Sequence, residues 1–146
     1  MKLTSVFNQG EKIPAKYTAD GENINPPLEI SRVPSGAKSL VLIVDDPDAP
    51  SGTWVHWVVI NIPVSGSEFR IEKDSVPGLE CMNDFRKVSY GGPSPPSGIH
   101  RYFFKVYALD IPDLKLKSSS EKADVEKAMN GHVLDKAELI GIYSRD

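Results

Sequence analysis

Three short segments of the chain carry side chains that could bind or transform a ligand. The first is Asp45–Pro50 (DDPDAP), which places three carboxylates within four residues. Such carboxylates repel one another unless hydrogen-bond donors or water stabilise them, and the two prolines stiffen the turn that holds them. The segment predicts either a site that uses the carboxylates or an ordinary turn in which they accept hydrogen bonds from backbone amides.

The second segment is centred on His56, within the apolar run Trp54–Val58 (WVHWV). Alternation along a strand places His56 on the same face as Trp54 and Val58. A histidine surrounded by apolar neighbours must find a hydrogen-bond partner. Taken alone, the pattern favours a buried core histidine over a ligand-binding one.

The third segment is the loop Gly91–Gly98 (GGPSPPSG), which leads into His100 and Tyr102. Glycine and proline let the backbone approach a ligand closely, and such a loop offers free N–H donors. His100 and Tyr102 alternate along the next predicted strand, so they lie on one face. Arg101 lies on the other face, where we expect a structural ion pair with Asp48.

Together, the three segments place a carboxylate, two imidazoles and a phenol at the ends of predicted strands, beside rigid loops. Each signal is weak alone, but polar groups that converge in this way commonly form a small polar pocket. We therefore expect one pocket built around Asp46, His56 and His100. The histidines lack the H-x-x-x-H and H-E-x-x-H spacings of metal sites, and the sequence has no G-x-S-x-G nucleophile motif.

The elements that must position these groups are mostly β-strands. The 12 prolines and most of the 11 glycines precede residue 113, which excludes long helices from the first three-quarters of the chain. The runs of β-branched and aromatic residues between them predict strands. Three are central and two are weaker candidates: Leu40–Val44, Trp54–Ile62 and Tyr102–Leu109, then Leu28–Ser31 and Val6–Phe7.

The last quarter of the chain favours a helix. Ser118 and Glu121 fit a capping box, as N-cap and N3. An amphipathic stripe follows over residues 125–133, and it includes His132, which we expect to pack there. Asn130-Gly131 ends or kinks this helix. The final apolar run, Leu139–Tyr143, predicts either a closing strand or the end of a second short helix.

Composition limits the classes of protein to consider. The length predicts a single domain, residues 1–146. A net charge of −3 argues against nucleic-acid binding, which normally needs a basic face. The single cysteine, Cys81, excludes an intrachain disulfide and fits a reducing compartment. Because no apolar run is long enough for a signal peptide or a membrane span, we expect a cytoplasmic protein without membrane association.

The motifs above resemble those of the phosphatidylethanolamine-binding protein family, in particular its prokaryotic Raf-kinase-inhibitor-like branch. The similarity runs through nearly the whole chain, and the combination of DPDAP with a downstream GPxPPxGxHRY is specific. The stretches that carry it are Asp46–Pro50, Trp54–Pro63, Tyr90–Pro96 and His100–Tyr102, with weaker similarity over Tyr17–Leu28 and Gly131–Tyr143.

The resemblance implies a mainly β fold: a two-sheet β-sandwich with a short helical segment near the C-terminus. It also implies a shallow pocket for phosphate-like, acetate-like and phosphoethanolamine-like groups, without a metal or cofactor. The family's pocket residues correspond here to Asp46, Pro50, His56, Gly92, Pro93, His100 and Tyr102.

The chain departs from the family pattern in two places. Ser94 stands where prokaryotic members often have cysteine, and Ile30 stands where many have tryptophan. Neither change affects the imidazoles or the carboxylate. We also expect the chain to lack the extended C-terminus of animal members, so the resemblance alone does not assign it their membrane and kinase partners.

The sequence thus favours a binding module for a small anionic or phosphorylated ligand, which could also inhibit a protein kinase or a protease. The alternatives are an enzyme that uses the Asp, His and Tyr side chains, and an interaction protein without a ligand. A homodimer is the oligomeric state suggested by prokaryotic relatives. If imidazolium groups hold the anion, its affinity rises as the pH falls through about 6.5, the usual histidine pKa.

Overall fold

The computed structural model describes residues 1–145 and consists of two antiparallel sheets and one short helix. A three-stranded sheet has the order β1-β2-β5, and a five-stranded sheet has the order β6-β4-β3-β7-β8. The elements are β1 Lys2–Thr4, β2 Leu28–Ser31, β3 Ser39–Asp46, β4 Trp54–Pro63, β5 Phe69–Ile71, β6 Leu79–Glu80, β7 His100–Leu109, α1 Lys122–Met129 and β8 Val133–Tyr143, with a 3-10 turn at Ala15–Tyr17.

The five-stranded sheet is covered on both faces. The larger core cluster joins the two sheets and includes Ile30, Leu42 and Phe104, whereas a second cluster packs Ile43 of β3 against Val125 of α1. All eight residues of β3 are buried, as its continuous apolar sequence predicts. The predicted fold class, a two-sheet sandwich with a short helix near the C-terminus, is confirmed.

The predicted strands are largely confirmed. Leu28–Ser31 forms β2, and the three central strands occur with one to three more residues than predicted. The prediction for Val6–Phe7 is wrong, because the first strand is Lys2–Thr4. Phe7 is instead a buried loop residue whose ring lies 5.6 Å from that of Phe104. Its apolar character reflects core packing and not strand pairing.

The helix begins later than predicted, whereas its end at Asn130-Gly131 confirms the first of the two alternatives for that pair. Glu121, not Ser118, is the N-cap, and the capping box pairs it with Asp124, whose carboxylate accepts the Glu121 N–H at 2.9 Å. The helix ends at Met129, and Gly131 follows with φ of 85°. His132 therefore lies in a turn, not on the helix, and its Nδ1 is 2.8 Å from Asp110.

The chain ends in a strand. The alternative of a strand at Leu139–Tyr143 is confirmed, and β8 is longer than predicted because it begins at Val133. β8 pairs with β7 over its whole length, from His100↔Tyr143 to Leu109↔Val133. Over residues 1–145, no helix is long and apolar enough to cross a membrane.

Candidate functional site

The candidate site lies at one end of the five-stranded sheet, where three neighbouring strands meet. β3 ends at Asp46, while β4 begins at Trp54 and β7 begins at His100. Because both neighbours run antiparallel to β3, the start of each lies near its end: Asp46 pairs with Trp54, the first residue of β4, and Asp45 pairs with Phe103, the fourth residue of β7. The sheet topology thus brings together side chains as far apart in sequence as Asp46 and His100, which are separated by 54 residues.

A β-bulge sets the direction of His56. Val44 pairs with Trp57 and Asp45 pairs with Val55, so His56 is the extra residue between them. The predicted shared face of His56 and Val58 is therefore wrong. Val58 packs in the cluster below α1, whereas the His56 ring lies on the other side, 5.3 Å from the ring of Tyr102.

Gly91 holds the His56 ring. His56 Nδ1 is 2.6 Å from the Gly91 carbonyl oxygen, and the Gly91 N–H donates to the His56 carbonyl at 3.0 Å. A carbonyl oxygen can only accept, so Nδ1 carries the hydrogen. Burial lowers the pKa of His56, which favours the neutral ring in the unliganded protein.

His100 and Asp46 form a nearly buried pair. His100 Nδ1 lies 2.7 Å from Asp46 Oδ2, and the side chains are 8% and 4% exposed. The other oxygen of Asp46 accepts the backbone N–H of Asp48 at 2.7 Å. The carboxylate therefore fixes the ring orientation and places the Nδ1 hydrogen between the two side chains.

The two histidines have the same pattern of hydrogen bonds. In both, Nδ1–H is used by a protein acceptor, and Nε2 has no protein partner among residues 1–145. In a neutral ring of this tautomer Nε2 accepts a hydrogen bond, and only the protonated ring donates through it. Each ring can therefore bind an anion after taking up a proton, or accept a hydrogen from a protonated ligand group.

Tyr102 provides a further polar group. Its hydroxyl is sealed from solvent and has no hydrogen-bond partner within residues 1–145; the Ser94 amide approaches it without forming a regular hydrogen bond. Burial raises the pKa of Tyr102, so the hydroxyl remains protonated and able to donate. An unsatisfied buried hydroxyl is unfavourable, and this one belongs to a residue that lines the cavity described next.

These side chains line one cavity of about 300 Å³. Five of the seven predicted site residues contribute to it, and so do residues that the sequence did not predict. The lining residues are Asp46, Ala49, Pro50, Trp54, His56, Phe85, Ser94, Pro95, Pro96, His100 and Tyr102. The walls are thus mainly apolar around a few polar groups, as is usual for small-molecule sites.

Gly92 and Pro93 do not line this cavity. The Gly92 N–H donates to Asn23 Oδ1 at 2.7 Å, and the Pro93 carbonyl accepts the Ala19 N–H at 3.0 Å. A Cβ at position 92 would lie 2.7 Å from the Tyr17 carbonyl oxygen, so glycine is needed for this close approach. These two residues anchor the loop to the N-terminal segment, and the amide of Gly92 is already used.

Asn83 organises the rim and carried no signal in the sequence. Its amide donates to the carbonyl groups of His56 at 3.2 Å and Ser89 at 2.7 Å. Its Oδ1 accepts the backbone N–H groups of Phe85 at 2.9 Å and Lys87 at 3.0 Å. The loop that presents Phe85 to the cavity is therefore closed by one buried side chain.

The three carboxylates of the DDPDAP segment have separate partners. Asp48 accepts two hydrogen bonds from the Arg101 guanidinium, each at 2.9 Å, which is the ion pair expected from the sequence. Arg101 holds the pKa of Asp48 down to about 2. Asp45 faces α1 and binds Lys105 and Lys122. Among residues 1–145, no three His, Cys, Asp or Glu side chains are grouped to hold a metal ion.

Comparison with known proteins gives consistent matches. Residues 3–144 match a family model described as phosphatidylethanolamine-binding protein. A UPF0098 protein of Methanothermobacter thermautotrophicus is 51% identical over 97% of each chain. Another, from Aquifex aeolicus, is 49% identical over 96% of this chain and 85% of its own length.

Two solved structures share the fold. A Chlamydia trachomatis protein described as a phosphatidylethanolamine-binding protein homologue has a TM-score of 0.93 and 40% identity, and the match covers 99% of this chain and 97% of that one. The E. coli protein YbcL, described as a new member of the mammalian family, has a TM-score of 0.90 and 31% identity, over 99% and 98% of the two chains.

Proposed function

The chain belongs to the phosphatidylethanolamine-binding protein family, and on that premise we propose that it binds a small anionic or phosphorylated ligand between His56, His100 and Tyr102. The observation that carries the proposal is the hydrogen bonding of the two histidines. Both rings use Nδ1–H within the protein. Among the described residues, 1–145, neither Nε2 nor the nearby Tyr102 hydroxyl has a hydrogen-bond partner.

Charge in the cavity depends on protons. Asp46 and an imidazolium at His100 compensate each other, and a second imidazolium at His56 leaves one positive charge for an anion. With neutral rings, the same Nε2 atoms accept hydrogens from a ligand that carries its own, such as singly protonated phosphate. In both cases a hydrogen atom lies between Nε2 and the ligand. An unprotonated anion beside neutral rings is disfavoured, because acceptor would then face acceptor.

The apolar walls suit the organic part of a ligand. Trp54 and Phe85 are both about one-third exposed at the rim, and their rings lie 5.5 Å apart in an edge-to-face contact. Aromatic surface beside a few polar groups is typical of binding sites. We assign the chain to binding and not to catalysis, with inhibition of a protein kinase or a protease as the cellular role that the family suggests.

Calorimetric titration with sulfate and with inorganic phosphate, from about pH 5 to 8, tests the proposal. Sulfate keeps its charge over this range, so a change in its affinity reports on the protein. The affinity for sulfate rises as the pH falls, and it continues to rise below the usual histidine range because burial lowers the pKa of His56. A flat profile, or loss of binding at low pH alone, contradicts the proposed role of the imidazolium groups.

Substitutions locate the site. His56→Ala and His100→Ala each abolish anion binding and leave a folded domain, as checked by circular dichroism. His132→Ala is the matched control, because His132 is also paired with a carboxylate but lies in the turn before β8, outside the cavity. Equal losses in all three variants would indicate non-specific binding and refute the proposed site.

A further inference from the structure

A second cavity adjoins the anion cavity on the far side of Phe85. It has a volume of about 560 Å³, and Phe85 and Ser94 line both cavities. Phe85 therefore forms part of a wall that the two spaces share. A ligand long enough to pass over this ring could place one group in each cavity.

The position of the Phe85 ring is fixed. Its backbone N–H donates to Asn83 Oδ1 at 2.9 Å, and its ring meets His56 edge-on at 5.3 Å. A Cβ at Gly91 would lie 2.6 Å from the ring, so the absence of a side chain there allows this position. The ring therefore has a defined position between the two cavities, although 37% of the residue is exposed.

The second cavity offers hydrogen-bond donors that the fold does not use. Lys87 is exposed and forms no ion pair among residues 1–145, while its backbone is fixed by two hydrogen bonds to Asn83. The Oδ1 of Asn23 accepts the Gly92 N–H, and its Nδ2 has no acceptor in the part of the chain that the structure describes, residues 1–145. The lining contains no Asp or Glu side chain. A cation and an amide donor without a competing carboxylate favour an anionic or acceptor-rich group.

We propose that the second cavity is a subsite for a second anionic group of the same ligand, held by Lys87 and Asn23. The ligand class is a flexible molecule with two anionic groups, such as a bisphosphate or a phosphorylated carboxylate, which passes over Phe85. This inference rests on the proposed function, because the first anionic group occupies the histidine cavity. Joining two groups in one ligand raises affinity only when the linker spans both sites.

Calorimetry with alkane-α,ω-diyl bisphosphates of roughly two to eight carbons, each compared with the monoalkyl phosphate of equal length, tests the inference. The bisphosphate binds about tenfold more tightly than its monophosphate at an optimal length, the size expected for one charge-assisted contact. Lys87→Gln removes this gain and leaves monoalkyl phosphate affinity unchanged. Lys38→Gln is the matched control, since this exposed lysine precedes β3, at the end of the strand opposite Asp46.

The outcomes separate the two proposals. If monoalkyl phosphates bind but no bisphosphate binds more tightly at any length, the second subsite is refuted and the histidine site stands. A gain that persists in Lys87→Gln also refutes the subsite, because it then reflects total ligand charge. If neither series binds, the proposed function fails, and the second subsite fails with it.

Discussion

The two faces of the five-stranded sheet receive consecutive carboxylates at the end of β3. Asp45 lies on the face that carries α1, where its Oδ2 binds Lys105 at 3.0 Å and Lys122 at 2.8 Å. Asp46 lies on the opposite face and binds His100 at 2.7 Å. Both carboxylates are nearly buried, so they differ in their basic partner, lysine or histidine, and not in their exposure.

The basicity of the partner decides what each carboxylate can do. Lysine keeps its charge over the physiological pH range, so Asp45 forms a permanent ion network that ties α1 to the sheet. The partner of Asp46 is instead a histidine, whose ring the carboxylate orients at the wall of the cavity where we propose that an anion binds. We therefore assign one face of the sheet to stability and, on the proposed function, the other to binding. The following predictions test this division, beginning with the largest effect.

Asp45→Ala tests the stabilising face. The substitution leaves Lys105 and Lys122 without their buried carboxylate and lowers the free energy of unfolding by about 3 kcal/mol. Urea unfolding at neutral pH measures this loss. The phosphate affinity of the folded variant stays within about twofold of the wild type, because Asp45 does not line the cavity. A large loss of affinity would contradict the division.

Asp46→Asn tests the binding face. The carboxylate accepts the His100 Nδ1–H on one oxygen and the Asp48 N–H on the other, whereas an amide offers one acceptor oxygen and cannot compensate an imidazolium. We expect anion affinity to fall by at least about tenfold, as for other partners that orient a ligand-binding histidine. Calorimetry with sulfate measures the fall, and the loss of unfolding free energy is smaller than in Asp45→Ala. A larger loss of unfolding free energy than in Asp45→Ala would mean that Asp46 mainly stabilises the fold, which would contradict the division.

The stability of the unliganded protein in acid tests the state of His56. Burial lowers its pKa in the folded state, so below about pH 6.5 the unfolded chain binds more protons than the folded one. Stability therefore falls as the pH drops from there through the folded-state pKa, with a slope of at most about 1.4 kcal/mol per pH unit. His56→Gln flattens this dependence, whereas His132→Gln retains it.

Arg101→Gln has the smallest expected effect. Its ion pair with Asp48 is exposed, and such pairs contribute little to stability. Neither the urea midpoint nor sulfate affinity changes measurably. The pKa of Asp48 rises from about 2 toward its ordinary value of 3.8, because the guanidinium that lowers it is gone. Carboxyl chemical shifts recorded by NMR against pH measure this change, and loss of sulfate binding would place Arg101 in the site.

The sequence predicted the features that depend on local patterns. Apolar and β-branched runs identified the strands, and antiparallel neighbours then brought Asp46, His56 and His100 together. The direction of His56 was not predictable, because a bulge depends on pairing with β3 and not on the residues of β4. The capping box was placed three residues early, because serine is a common N-cap but Glu121 and Asp124 satisfy the helix end.

Long-range contacts set the remaining parts of the site. Gly92 and Pro93 belong to the loop that the sequence selected, but their backbone groups bind the N-terminal segment. Phe85 and Asn83 lie in a segment without periodicity, so nothing in their spacing indicates contact with His56. These residues form the rim because the buried Asn83 side chain binds the backbone of His56 and Phe85, and no local sequence pattern indicates such contacts.

The hydrogen bonds of Asn83 hold the loop by its backbone and not by its side chains. Asn83 determines the backbone course from Phe85 to Ser89 through its own amide, independently of the side chains in between. The side chains at positions 85 and 87 can therefore be substituted without removing the hydrogen bonds that hold the loop backbone. Exchanging them would change the cavity walls without rebuilding the loop. Asn83→Asp, similar in shape, would instead set a carboxylate against two carbonyl oxygens and disrupt the loop backbone.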